Sequence, residues 1–158
     1  MRFRLTEDAR GDGMAGCELP LDNATDADVQ RILASAKTVA VVGLSPKPER
    51  DSNRVAAYMI QAGFDVVGVN PGFKEILGRP CYRDMASVPG KIDIVNIFRK
   101  PEAIPPVVDQ AIEAGASCVW MQMGLAHNQA ADKARAAGMD VVMNKCIMVE
   151  HRKLFPGS

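Results

Sequence analysis

The chain has 158 residues, 47% of them apolar and 24% charged, which predicts one globular domain with a hydrophobic core. Its 19 basic and 19 acidic side chains balance, which argues against nonspecific nucleic-acid binding because that needs a strongly cationic face. No stretch approaches the roughly 20 apolar residues of a membrane span, and the first residues lack the apolar segment of a signal peptide. We therefore expect a cytoplasmic protein that binds neither nucleic acid nor membranes.

The beginning of the chain divides into an arm and the start of a domain. Residues 1–23 carry glycine and charge without a clear period, so we expect a loose N-terminal arm followed by a domain over residues 24–155. Thr25 and Asp28 form a weak capping-box pattern in front of a short helix. Residues 38–42 are continuously apolar or β-branched, which is typical of a strand buried on both faces of a parallel sheet.

The rest of the domain alternates helices with strands. After the strand at 38–42, strands are expected at 64–69, 92–98, 117–121 and 140–143. Three helices end in Ala-Gly pairs that pass straight into a strand, while residues 78–82 indicate a connecting turn with a short extended piece. A polar tail is expected after Cys146.

This alternation predicts a single-domain, Rossmann-like α/β fold. We expect a doubly wound parallel sheet of five strands in the order 3-2-1-4-5, joined by right-handed crossovers. In that order the turn at residues 43–45 faces residues 121–124 across a crevice, which is where ligands bind in such folds.

The loop after the first strand has the features of a phosphate site. Gly43 ends the strand at a point where a residue without Cβ lets a ligand approach the backbone. Asp51, with the serine and asparagine after it, marks a helix start, whose unpaired N–H groups and dipole favour an anion. Ser45, Lys47 and Arg50 lie between, so we expect a nucleotide-like ligand to place its phosphates there.

Two common nucleotide motifs are absent from the sequence. A dinucleotide fingerprint has three glycines after the first strand and an acid at the end of the second, whereas this chain has Gly43 and Asn70. The chain also lacks the G-K-S/T of a P-loop. The sequence pattern thus agrees with a Rossmann-like fold but argues against NAD as the ligand. It favours a ligand with extra phosphate charge.

The cysteines do not form a recognisable site. Cys17, Cys81, Cys118 and Cys146 are far apart and include no C-x-x-C pair, so neither zinc nor a disulfide framework is expected. Cys146 stays open as a functional residue, because it follows a strand on the side where ligands collect.

Six blocks of the sequence resemble a known family when they are taken together. They are VVGLSPKPERDSNRVAAYM, VGVNPG, ILGRPCYRDM, VNIFRKPEAIP, VWMQMG and VVMNKCIMVEH. The chain resembles the stand-alone coenzyme A-binding proteins, which are related to the N-terminal CoA-binding domain of the succinyl-CoA synthetase α subunit. The resemblance implies a CoA-binding, Rossmann-like domain that holds the ADP part of the ligand in the turns after the first three strands.

The resemblance also implies contacts for individual residues near the first strand. Gly43 and Ser45 would meet the pyrophosphate, and Lys47 or Arg50 would meet a phosphate.

Further contacts are implied at the ends of the later strands. Asn70 and Pro71 would border the adenosine, and Phe98 and Arg99 would line the side of the nucleotide. The segment from Met121 to Gly124 would approach the pantetheine arm.

The resemblance does not extend to the ligase reaction. The histidine that accepts phosphate in the synthetase lies in a domain absent from this sequence, and neither His127 nor His151 has a matching motif. We expect a protein that binds CoA or acyl-CoA without catalysis. The alternatives are a CoA-dependent or redox enzyme that uses Cys146, and a regulatory subunit of an acyl-CoA enzyme; a protein partner or a homo-oligomer remains open.

Overall fold

The computed structural model describes residues 18–157, and over this range a single mixed sheet is covered by α-helices on both faces. The strands are β1 (Thr38–Val42), β2 (Asp65–Val69), β3 (Glu75–Ile76), β4 (Arg79–Tyr82), β5 (Ile94–Ile97), β6 (Cys118–Met121) and β7 (Asp140–Val142). The helices are α1 (Asp26–Ser35), α2 (Asp51–Gln61), α3 (Ile104–Glu113), α4 (Asn128–Ala136) and α5 (Ile147–Leu154). The predicted α/β class is confirmed, but the described sheet has seven strands rather than five.

The two additional strands form a hairpin at one edge of the sheet. β3 and β4 pair antiparallel, with Ile76 opposite Arg79. The two residues between them, Leu77 and Gly78, both have positive φ angles (57° and 71°), which is typical of a type I′ hairpin turn. The sequence pattern indicated mainly a turn here, because Pro80 and two charged residues are types that are uncommon in strands.

The hairpin changes which strands are neighbours. The sheet order is β3-β4-β2-β1-β5-β6-β7, so β4 occupies the place beside β2 that the prediction gave to residues 92–98. β5 instead pairs in parallel with β1, with Val39 aligned to Ile94. The predicted order 3-2-1-4-5 therefore holds only if β4 is counted as the third strand. The predicted adjacency of β1 and the 117–121 strand is wrong, because β5 lies between them. Residues of the 43–45 turn and of the 121–124 segment nevertheless line one crevice, as expected.

The strands alternate their side chains between two hydrophobic layers. Val39 and Val41 of β1 face the layer of α1, α2 and α5, while Ala40 and Val42 face the layer of α3 and α4. Both sets are almost fully buried, as expected for a parallel sheet covered on both sides. Because helices cover both faces of the sheet, a ligand site is expected at the strand ends.

Local capping signals behave as the sequence predicts. At the start of α1, the Thr25 hydroxyl accepts from the Asp28 N–H, and the Asp28 carboxylate accepts from the Thr25 N–H. Each of the three Ala-Gly pairs ends a helix at a glycine with positive φ. The following residue donates back to the carbonyl five positions earlier, as Phe64 does to Met59, which is the hydrogen bond of a Schellman motif.

Both ends of the described chain are ordered against the domain. Of the predicted arm, residues 1–17, with Cys17, lie outside the described residues. Asn23 in the remaining segment exchanges hydrogen bonds with the Met143 backbone (2.8 and 2.9 Å). The polar tail predicted after Cys146 is wrong, because α5 forms there and buries Ile147 and His151. No helix in residues 18–157 has the length and hydropathy that a membrane crossing requires.

Candidate functional site

A cleft with a volume of about 1010 Å³ lies at the carboxyl ends of the strands. Its floor is made by the residues that leave β1, β5 and β6, and its walls by the first turns of α2 and α5. Ligands of open α/β sheets bind at this edge, where the strand order reverses. In this sheet the reversal falls between β1 and β5.

Gly43 lets the exits of β1 and β5 approach each other. Its φ angle is +88°, and a Cβ at this position would lie 2.2 Å from the carbonyl oxygen of Phe98. The same Cβ would lie 3.4 Å from Cδ of Arg99, so the stem of that arginine covers the glycine. The absence of a side chain here is what brings the Phe98-Arg99 turn against the β1 exit.

The loop between β1 and α2 is held by polar residues of the first helical turn. The Ser45 N–H donates to the Ser52 hydroxyl (3.0 Å), and the Asn53 amide donates to the Ser45 carbonyl (2.8 Å). The hydroxyl of Ser45 accepts from the Lys47 N–H (3.1 Å). The predicted helix start is confirmed, because α2 begins at Asp51. Arg50 occupies the N-cap position without a side-chain cap bond, while Ser52 and Asn53 are nearly buried.

The start of α2 presents unpaired donors to the cleft. Within the described residues, the N–H groups of Asp51 and Ser52 have no protein acceptor, as is usual in a first helical turn. Arg50, Arg99 and Lys100 line the cleft, and none of them pairs with a carboxylate of residues 18–157. The combination of donors, a helix dipole and free cations favours a polyanion.

Arg54 differs from these cations because it is already engaged. Its guanidinium pairs with the Asp51 carboxylate and donates to the Glu49 carbonyl (2.7 Å). It therefore braces the helix start, and the free cationic charge of the cleft comes from the other three side chains.

The opposite end of the cleft is built from the β6 exit and the start of α5. Gln122 is nearly buried, and its Oε1 accepts from the Ile147 N–H (3.0 Å), which fixes the start of α5 to the β6 exit. Cys146 precedes the helix and lines the cleft. Met123 and Val149 also line it and are 63% and 41% exposed, so this end is largely apolar.

The structure brings five of the sequence-predicted site residues into the cleft. These are Gly43, Ser45, Arg50, Phe98 and Arg99. They come from the β1 and β5 exits, which the reversal of strand order places side by side.

The other five predicted residues do not line the cleft. Lys47 and Pro71 are exposed outside it, and Met121 is fully buried in the core. Asn70 donates to the Leu44 carbonyl (2.9 Å), so it joins the β2 exit to the loop. Gly124 donates to Oδ1 of Asn144 (2.7 Å) in the neighbouring loop.

Several cleft residues were not singled out from the sequence. Met148 and Val149 belong to this group, because α5 itself was not predicted. Gln122 and Met123 lie in the predicted segment from Met121 to Gly124 and do line the cleft. Cys146 lines the cleft, in agreement with the expectation that it lies on the side of the sheet where ligands collect.

The two histidines have structural roles. His127 caps α4, and its Nδ1 accepts from the Ala130 N–H (3.1 Å). His151 lies among aromatic rings, with Nδ1 2.9 Å from the Tyr58 hydroxyl and its ring stacked on Phe155. Burial lowers the pKa of His151. Residues 18–157 contain no cluster of His, Cys, Asp and Glu suited to a metal ion.

The sequence matches a family model over most of its length. A model described as a CoA binding domain matches residues 37–152. The uncharacterized protein YneT of Bacillus subtilis (strain 168) is 37% identical over 131 residues, which cover 83% of this chain and 97% of that protein.

Two further relatives extend the comparison to a solved structure and to an enzyme. A hypothetical protein from Pyrococcus horikoshii OT3 has a similar structure, with a TM-score of 0.81 and 45% identity, covering 86% of this chain and 96% of that one. The ADP-forming acetate–CoA ligase I of Archaeoglobus fulgidus is 32% identical over 74 residues. That match covers 47% of this chain and 11% of the ligase, so the likeness is to a small portion of a much longer protein.

Proposed function

This chain belongs to the CoA binding domain family, and from that premise we propose that it binds coenzyme A or an acyl-CoA without catalysing a reaction. The observation that carries the proposal is the cleft in which the unpaired N–H groups of α2 meet Arg50, Arg99 and Lys100. In this proposal the ADP part of the ligand lies over the β1 and β5 exits, with the pyrophosphate beside Gly43. Coenzyme A supplies a thiol that carries acyl groups as thioesters.

The residues of the cleft fit this ligand. Gly43 and Ser45 line the cleft, so a pyrophosphate can approach the backbone of the β1 exit from that side. Arg50, Arg99 and Lys100 supply cations for the pyrophosphate and the 3′-phosphate, and the carboxylates of Glu49 and Glu102 line the same end of the cleft. Asn70 also favours CoA over NAD as the ligand. Its amide donates to the Leu44 carbonyl, and the residue has no carboxylate to accept hydrogen bonds from ribose hydroxyls.

Calorimetric titration with CoA, 3′-dephospho-CoA, NAD and ATP tests the proposal. We expect CoA to bind, and 3′-dephospho-CoA to bind about tenfold to a hundredfold more weakly, because a charge-assisted hydrogen bond contributes about 1.5–3 kcal/mol. Binding of NAD but not CoA, or of none of the four, would refute the proposal. Equal affinity for CoA and 3′-dephospho-CoA would remove the role of the third cation.

A second candidate function is an enzyme that uses Cys146. It is favoured by one observation, the position of this cysteine at the apolar end of the cleft. Alkylation of Cys146 followed by peptide mass spectrometry from pH 6 to 9 tests it, with Cys118 as the internal control because burial raises the pKa of that thiol. Fast alkylation of Cys146 near pH 6 supports an enzyme, and the profile of an ordinary free thiol excludes this mechanism.

A further inference from the structure

The two ends of the cleft differ in charge. Every charged side chain that lines it comes from the β1–α2 segment, from α2 or from the turn after β5. The end formed by the β6 exit and α5 contributes Met123, Leu125, Met148 and Val149 but no charged residue. The cleft therefore offers one continuous surface that changes from charged, with four basic and three acidic side chains, to apolar.

The apolar end of the cleft leaves two large apolar side chains exposed to solvent. Met123 and Val149 are 63% and 41% exposed, although most other large apolar side chains of the described domain lie in its two core layers. Contact between water and apolar side chains inside a cleft is unfavourable. Burial of these side chains against an apolar ligand group is therefore favourable. The polar Gln122 beside it does not change this, because its Oε1 is taken up by the Ile147 N–H.

We propose that this end binds the aliphatic acyl group of an acyl-CoA, so that the preferred ligand is a thioester rather than free CoA. The inference rests on the proposed function, which places the phosphates at the α2 end. β1, β5 and β6 are consecutive neighbours, so the β6 exit lies about 10 Å from the β1 exit at the usual strand spacing. The pantetheine arm is longer than this when extended, so an arm that bends across the β5 exit holds its thioester and the acyl group between Met123 and α5.

The absence of charge also predicts which acyl groups are preferred. A straight aliphatic chain gains from contact with Met123, Met148 and Val149, while an acyl group that ends in a carboxylate would lose hydration there without a cationic partner. We therefore expect butyryl-CoA and hexanoyl-CoA to bind more tightly than acetyl-CoA, and succinyl-CoA to bind no more tightly than acetyl-CoA.

Titration calorimetry with free CoA and these four thioesters measures the effect. Each fully buried methylene tightens binding about fourfold, so even half-buried contacts give hexanoyl-CoA a Kd about tenfold below that of acetyl-CoA. The ratio of the two dissociation constants is the quantity to compare among variants, because it does not depend on how well the phosphates are held.

Met123→Ser and Val149→Ser test whether the gain comes from this end of the cleft. Both side chains are partly exposed, so the variants are expected to fold, and we expect the ratio to fall toward one in each. Phe73→Ser is the matched control, because Phe73 is 42% exposed and lies outside the cleft; its ratio is expected to equal that of the unmodified protein.

The possible results separate this inference from the proposed function. Equal dissociation constants for CoA and all four thioesters overturn the inference and leave CoA binding intact. A chain-length gain that survives in both cleft variants also overturns it, because the acyl group then lies elsewhere. Failure of every CoA species to bind overturns the inference together with the proposed function.

Discussion

Replacing Gly43 by alanine tests whether stability and CoA binding depend on the close approach of the β1 and β5 exits. The new Cβ would lie 2.2 Å from the Phe98 carbonyl oxygen, which belongs to the main chain and cannot rotate away. The φ angle of +88° costs a non-glycine residue about 1–2 kcal/mol, and relief of the overlap adds about 1–3 kcal/mol. We therefore expect Gly43→Ala to lower the free energy of unfolding by about 2–5 kcal/mol and to abolish CoA binding.

Gly90→Ala is the matched control for this change. Gly90 has a similar φ angle of +79°, but no atom lies within 4 Å of the position that its Cβ would take, so only the conformational cost of about 1–2 kcal/mol applies. Urea unfolding followed by the fluorescence of Trp120, the single and fully buried tryptophan, measures both variants. The reasoning is refuted if Gly43→Ala loses no more stability than Gly90→Ala and still binds CoA with unchanged affinity.

Three further changes test other regions of the structure. Arg99→Ala is expected to weaken CoA binding about tenfold to a hundredfold in calorimetry, because it removes an unpaired cation from the cleft, whereas Arg83→Ala, outside the cleft, should leave it unchanged. Thr25→Ala removes the capping box of α1, and urea unfolding should show a loss of about 1 kcal/mol; no loss would mean that the cap is not needed. Because burial lowers the pKa of His151, the unfolded chain binds this proton more readily, so stability should fall as the pH drops below about 6.5 and level off below the folded-state pKa. His151→Phe should flatten the dependence of the unfolding free energy on pH between 5 and 7. An unchanged slope would mean that other titratable groups cause this pH dependence.

The candidate site was predictable from sequence where neighbouring residues in the chain form it. Gly43, Ser45 and Arg50 lie in one short segment between a buried strand and a helix, and they remain together in the cleft. Asn70 and Met121, at the ends of other strands, were implied by the family resemblance, but one holds the loop and the other is buried in the core. Proximity to a strand end thus did not decide whether a side chain reaches the cleft.

The sequence by itself determined the α/β class, the capping box of α1, the three Ala-Gly helix ends and the polar loop after β1, because each depends on residues a few positions apart. Only the tertiary structure decided which strand lies beside β1 and which side chains share the cleft. The β3–β4 hairpin takes the edge beside β2 and leaves the place next to β1 to β5, so Phe98 and Arg99 meet Gly43. α5 then folds over the β6 exit and adds the apolar end through Cys146 and Val149. These contacts join residues far apart in the chain, and their selection depends on how the whole sheet and its helices pack.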